Sequence, residues 1–305
     1  MSGTEEISVL FLCLKFGLLT TVQSAGKEKG IPFKNKINKY ILLDKGCIIL
    51  NNAIVLSREI QGCLIAEINR PEKKNAVNYD VMEGLIHALD VAEADPEIKM
   101  IVITGHGSAF CSGGDLGEFH SLQTKKQAYA MLSKMGAIVY RLSVFPKPTF
   151  AFINGAAVGG GCEIAAACDF RIAKEGAKIG FIQGTQGITT GWGGASILFE
   201  KLPYQHALRL LLSAEIIPAV EAARYSFIDE ILEDGIGGSW KNRVQSILNK
   251  EADVIKAYKT LLVNKWISGG LHERIEMEIQ ECARLWESEA HLQAVERFVT
   301  RTKNI

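Results

Sequence analysis

The stretch Thr149-Phe150-Ala151-Phe152-Ile153-Asn154-Gly155-Ala156-Ala157-Val158-Gly159-Gly160-Gly161-Cys162-Glu163 decides how this chain folds. Thr149–Ile153 is a short apolar run bounded by turn residues, which predicts a buried strand. Gly159–Gly161 then lead into a predicted helix over Glu163–Cys168. A strand that runs through glycines into a helix leaves backbone N–H groups without partners at the helix start. Glycine at that point also lets another group approach the main chain without meeting a side chain.

The same order of elements recurs on either side. Upstream, Met100–Thr104 reads as a buried strand followed by Ser108-Ala109-Phe110-Cys111-Ser112-Gly113-Gly114-Asp115-Leu116. Downstream come strand Phe170–Ala173, a second glycine-rich stretch and a helix from about Ala195. Ala53–Leu56 and Leu64–Ile68 flank Gln61-Gly62 as a predicted hairpin. Between them and the centre, Val81, Met82, Leu85, Ala88, Leu89 and Ala92 recur at helical spacing until Asp95-Pro96. Thr124–Phe145 has the pattern of a long amphipathic helix, ended by Pro146, and helical periods dominate from Pro218 to Arg301. Strands alternating with helices predict an α/β fold. The expected organisation is an N-terminal extension over 1–51, either disordered or foreign to the domain, a core over 52–217 and a helical region over 218–305.

Charge bounds the function. The chain has 305 residues with 34 basic and 34 acidic side chains, and 48% of it is hydrophobic, enough for a large core. The balance is a sum of two unlike parts. Residues 1–53 hold seven Lys against Glu5, Glu6, Glu28 and Asp44, a net +3, and the rest carries −3. Without a basic excess or an aromatic–basic stripe, a dedicated nucleic-acid binder is disfavoured. The apolar stretch Ile7–Leu19 is too short to span a bilayer and is interrupted by Lys15. Glu5 and Glu6 stand where a signal peptide needs positive charge, and the first Arg is Arg58. No membrane association is expected, and the expected compartment is the cytoplasm, or the mitochondrial matrix if the extension is a targeting segment. The seven Cys lack CxxC spacing and the six His show no metal-ligand pattern, so no zinc site is expected. Cys111 and Cys162 read as packing residues rather than nucleophiles.

Two strand–glycine–helix loops of one architecture, the second ending in a carboxylate, point to more than tight turns. Two N–H groups aimed at one point from different loops would stabilise negative charge developing on a carbonyl oxygen.

These residues resemble the crotonase superfamily, the enoyl-CoA hydratase/isomerase proteins. The matching segments, in the family's order, are Asn69-Arg70-Pro71-Glu72-Lys73-Lys74-Asn75-Ala76, Ala109 to Asp115, Pro146-Lys147-Pro148, Asn154-Gly155, Gly159 to Glu163, and Cys168-Asp169. The resemblance covers about residue 52 to the C-terminus. It implies a spiral of repeated ββα units with a helical C-terminal trimerisation region, and a homotrimer or homohexamer. It implies an acyl-CoA thioester substrate whose enolate is held by the N–H groups of Gly114 and Gly160, with Glu163 catalytic. Lys74, Asn75 and Ala76 would lie along the CoA, as would Gly114, Asp115 and Leu116, while Phe298 and Arg301 would reach a neighbouring subunit's CoA. No metal or redox cofactor is implied, because coenzyme A is part of the substrate.

The chain departs from the hydratase pattern at one position. Hydratases of the family manage a water with two glutamates, and the second position here holds Gln183. An amide hydrogen-bonds but does not take a proton at neutral pH. Gly187-Ile188-Thr189-Thr190-Gly191-Trp192-Gly193-Gly194 is similar to the ethylmalonyl-CoA decarboxylase branch, in which an enolate is held and no water is activated. Gln183 and Trp192 would then shape the pocket. Three readings stand at this point: an enoyl-CoA hydratase/isomerase, an alkylmalonyl-CoA decarboxylase, and a member that binds acyl-CoA or RNA without turnover.

Overall fold

The computed structural model describes residues 40–43, 47–50, 53–232 and 240–303, with side chains over 53–232 and 240–297. The strands are β1 (Tyr40–Leu43), β2 (Cys47–Leu50), β3 (Ile54–Ser57), β4 (Cys63–Ile68), β5 (Met100–Gly105), β6 (Ala109–Cys111), β7 (Thr149–Ile153), β8 (Ala156–Val158), β9 (Phe170–Lys174), β10 (Lys178–Gly180), β11 (Ile217–Pro218) and β12 (Glu230–Leu232). The first helices are α1 (Tyr79–Ala94), α2 (Leu116–Phe119), α3 (Lys125–Ser143), α4 (Gly160–Ala167), α5 (Gly194–Lys201), α6 (Tyr204–Ser213) and α7 (Ala219–Arg224). The chain continues through α8 (Trp240–Leu248), α9 (Ala252–Ser268), α10 (Leu271–Trp286) and α11 (Glu289–Lys303).

Two sheets share the strands by alternation. One has the order β1-β2-β3-β4-β5-β7-β9-β12 and the other β11-β10-β8-β6. From β5 onward the pairs β5/β6, β7/β8 and β9/β10 each place one strand in each sheet before the next helix, which is the ββα spiral. From β4 through β5, β7 and β9 to β12 the pairing is parallel, and β6, β8 and β10 are parallel in the second sheet.

Parallel strands covered on both faces read as continuous apolar runs, which is why β5 and β7 stand out in the sequence. Alternate side chains divide between two cores. Ile101, Ile103, Ala151 and Ile153 face the large core shared with α1, α3 and α4, while Met100, Val102, Phe150 and Phe152 face a smaller one closed by α8. Trp240 stacks on Phe152 there, with ring centroids 5.2 Å apart.

The structure differs from the sequence expectations in places that matter to the site. Ala109–Cys111 and Ala156–Val158 are strands, although they read as parts of glycine loops; three residues are too few to show a period. Helix α4 starts at Gly160, three residues before the expected start at Glu163, because the glycines themselves form its first turn. Tyr40–Leu43 and Cys47–Leu50 lie within the segment read as an extension, yet they pair antiparallel with each other, and β2 pairs with β3. The segment beyond 218 is mainly helical but contributes β12, paired with β9. Residues 1–39 lie outside the described residues.

Candidate active site

The two glycine loops meet at the ends of β6 and β8. Val77 forms an isolated parallel bridge with Gly114, in which the Val77 N–H donates to the Gly113 carbonyl and the Asp115 N–H to the Val77 carbonyl, both at 2.8 Å. That pattern uses the neighbours of Gly114 and turns its own N–H away from Val77. Gly160 is the first residue of α4, so its N–H has no acceptor within the helix. The loops lie side by side, since a Cβ on Gly113 would fall 3.3 Å from the Gly160 nitrogen. A Cβ on Gly161 would fall 2.1 Å from the Cys111 carbonyl oxygen, so only glycine lets α4 approach β6 this closely.

One turn into α4, Glu163 is 2% exposed. Its carboxylate is held by backbone from the loop before α5. Oε2 accepts from the N–H groups of Trp192 at 2.8 Å and Gly194 at 2.9 Å, and Oε1 accepts from Gly191 at 3.4 Å. Gln183 completes the set, its Nε2 donating to Oε1 at 2.9 Å. The other end of that amide, Oε1 of Gln183, is buried without a partner. Burial pushes the Glu163 carboxyl up to about 7, assisted by the negative charge of Glu278 and opposed by the three backbone N–H groups.

Trp192 forms the lid of this arrangement. It is 4% exposed, and its six-membered ring lies directly on Gly160, where a Cβ would fall 2.0 Å from Cζ3. The same ring approaches Gly114, at 3.7 Å from a Cβ built there. Helix α10 seats the loop: a Cβ on Gly191 would meet Cys282 Sγ at 2.7 Å, and one on Gly193 would meet Ile275 at 2.8 Å.

The remaining expected site residues are placed as follows. Lys74 and Asn75 both take left-handed backbone, with φ of 50° and 58°. The Asn75 side chain is fully buried; Nδ2 donates to the carbonyls of His106 and Ala109, and Oδ1 accepts from the Arg70 N–H. It ties the 70–76 segment to the β5–β6 loop and leaves Lys74 exposed. Ala76 is buried, and its carbonyl accepts from Arg70 Nη1 at 2.6 Å. Asp115 caps α2 through Gly117 and pairs with Arg70 at 2.7 Å, while Leu116 begins the helix. Phe298 and Arg301 fall on α11, but their side chains lie outside the described residues.

Burial pushes the Cys111 thiol up to about 12 and raises that of Cys162 as well, so neither is an ionised nucleophile near neutral pH. Among the described residues no three His, Cys, Asp or Glu side chains converge as metal ligands do. Among the same residues no helix is long and apolar enough to cross a membrane.

Two groups escaped the sequence reading. Glu278 lies on the face of α10 otherwise formed by Ile275, Ile279 and Cys282, and a carboxylate within that apolar row was the available signal. Lys201 donates to the carbonyls of Ala166, Ala167 and Cys168 at 2.7, 3.2 and 2.7 Å, satisfying the C-terminal end of α4. Burial lowers its ammonium to about 7.

Residues 59–304 match the family model described as Enoyl-CoA hydratase/isomerase. The chain belongs to this family. Within the enoyl-CoA hydratase/isomerase proteins it is 30% identical over 249 residues to ethylmalonyl-CoA decarboxylase of Xenopus laevis, spanning 80% of this chain and 82% of that protein. It is 29% identical over 259 residues to short-chain-enoyl-CoA hydratase of Clostridium acetobutylicum, spanning 83% and 97%. The crystal structure of an enoyl-CoA hydratase from Bacillus halodurans superposes with a TM-score of 0.72 at 26% identity, covering 80% of this chain and 99% of that one. These likenesses establish the crotonase superfamily and its mixed α/β fold, in a family whose relatives handle acyl-CoA.

Proposed function

We propose that this family member decarboxylates a 2-alkylmalonyl-CoA, with ethylmalonyl-CoA the first candidate. The observation that carries the reading is the Gln183 amide donating to Glu163 at 2.9 Å, where a hydratase would need a second titratable group for its water. Decarboxylation needs no such pair. The bond from the α-carbon to the carboxylate breaks and CO2 leaves. Its electron pair passes to the thioester oxygen, which the N–H groups of Gly114 and Gly160 receive. The pair then returns to the α-carbon, which takes a proton from Glu163, and solvent restores that proton. The net change is one substrate and one proton giving CO2 and the shortened acyl-CoA, and no further cofactor enters.

Glu163 suits the donor role because burial keeps its proton until about pH 7. Gln183 serves both of its states. The amide nitrogen donates to the carboxylate, and after a half-turn the now unpartnered oxygen accepts from the carboxylic acid. The Trp192 ring packed against Gly160 would present an apolar face beside the reacting carbon. The Xenopus laevis relative named as ethylmalonyl-CoA decarboxylase favours the same reaction.

The test is a panel of ethylmalonyl-CoA, methylmalonyl-CoA and crotonyl-CoA followed by mass spectrometry. Loss of CO2 from an alkylmalonyl-CoA, with crotonyl-CoA hydrated slowly or not at all, is expected. Rapid hydration of crotonyl-CoA without CO2 release overturns the proposal in favour of a hydratase. Acyl-CoA binding with no turnover on any member of the panel, unchanged by Glu163→Gln, overturns it in favour of a binding protein. The homotrimer or homohexamer implied by the resemblance is read separately, by light scattering.

A further inference from the structure

Half-buried Glu278 on α10, which takes no part in the proposed reaction steps, grips with its carboxylate the same loop as Glu163. The loop from Thr190 to Ser196 is divided between the two residues. Glu163 receives the N–H groups of Gly191, Trp192 and Gly194. Glu278 receives the flanking donors: the Thr190 hydroxyl at 2.6 Å, the Ala195 N–H at 3.1 Å, and the Ser196 N–H and hydroxyl at 2.8 and 2.7 Å. Among the described residues neither carboxylate forms an ion pair.

We infer that Glu278 is the positioning residue of this site, fixing from α10 both the N–H groups that receive Glu163 and the Trp192 ring over Gly160. Capping of α5 alone does not account for it. Thr190 already accepts from the Ala195 N–H at 3.2 Å, so a local hydroxyl supplies a cap without burying a charge. Burying a carboxylate with no counter-ion is costly, and the cost rises beside a second carboxylate. What the arrangement provides is a site in which both groups are held rigidly and a proton is retained near the reacting carbon. In accord with the geometry, burial raises the proton affinity of both, and the charge of Glu278 raises that of Glu163 further. The other titratable groups facing the pair are the thiols of Cys162 on α4 and Cys282 on α10, both pushed up by burial, with exposed Glu281 acting on Cys282.

The catalytic meaning of this role rests on the decarboxylase reading, but the clamp itself is testable without substrate. Glu278→Gln removes the charge and keeps the shape, whereas Glu278→Asp keeps the charge and withdraws it from α5. With the full chain and ethylmalonyl-CoA, both variants should lower kcat about tenfold or more with little change in KM. In Glu278→Gln alone, the basic limb of the kcat profile should move to lower pH by about one unit, since Glu163 then ionises earlier. Should Glu278→Gln not fold, the kcat of Glu278→Asp decides. A profile identical to the wild type in Glu278→Gln, or a wild-type kcat in Glu278→Asp, overturns the inference and leaves a plain helix cap.

The substrate-free readout is the dependence of urea unfolding on pH, whose decline between about pH 5 and 7 should flatten in Glu278→Gln. An unchanged decline overturns the clamp. If the wild type releases no CO2 from any alkylmalonyl-CoA but this decline still flattens, the reaction is wrong and the clamp stands.

Discussion

Replacing Glu163 with glutamine should change how stability depends on pH, and the structure fixes the sign. The folded chain holds the Glu163 proton up to about pH 7, whereas an unfolded carboxyl releases it near 4.5. Between those values the native state binds more protons than the unfolded one, so this group makes stability fall as pH rises. The loss is complete just above pH 7, and the full contribution is present only below about 4.5. A displacement of roughly two and a half pH units corresponds to about 3 kcal/mol.

The Glu163→Gln variant is well suited to the measurement. The oxygen of the introduced amide can accept from the Trp192 and Gly194 N–H groups. After a half-turn of the Gln183 amide, whose nitrogen faces Glu163 in the wild type, the new nitrogen can donate to the Gln183 oxygen. The donation from Gln183 at 2.9 Å and the contact from Gly191 at 3.4 Å are given up. Urea unfolding of both proteins at about pH 5, 6, 7 and 8 gives the difference directly. The wild type should lose roughly 2–3 kcal/mol relative to Glu163→Gln across that span. Parallel stability curves would refute the account, because Glu163 would then be an ordinary ionised carboxylate unable to supply a proton near neutral pH.

Two further outcomes follow from the same geometry. Gly160→Ala would place a methyl 2.0 Å from the Trp192 ring. It should cost about 1–3 kcal/mol in thermal or urea unfolding and reduce turnover about a hundredfold or more; wild-type turnover would dismiss the ring's placement. Lys201→Met removes the donor for three carbonyls at the end of α4. A loss of about 2 kcal/mol at about pH 6 is expected in urea unfolding. Because burial lowers this ammonium to about 7, from an ordinary value of 10.5, wild-type stability should gain from this group as pH rises between them. The variant should lack that gain.

Much of the architecture was legible because its signals are local. The apolar runs of β5 and β7, the helical spacing of α1 and α3, and the glycines before Glu163 each reflect a rule that acts within a few residues. The short strands β6 and β8 were not legible, since three residues carry no period and only pairing within the second sheet, with each other and with β10, makes them strands. Asn75 shows the same limit at the level of one side chain. Its motif marked the segment, but the donors and acceptors it satisfies lie at Arg70, His106 and Ala109.

The sequence alone determined the family pattern, the two glycine loops, Glu163 as a candidate catalytic residue and the amide at position 183, because residue identity and order suffice for these. Tertiary structure decided what those residues experience. Glu163 becomes a group that retains its proton to about pH 7 only through burial and the neighbouring charge of Glu278. Position 278 is 115 residues away along the chain, and no local pattern joins the two. Electrostatic environment depends on distance in space and exclusion of water, and the packing of α10 against the Trp192 loop supplies both.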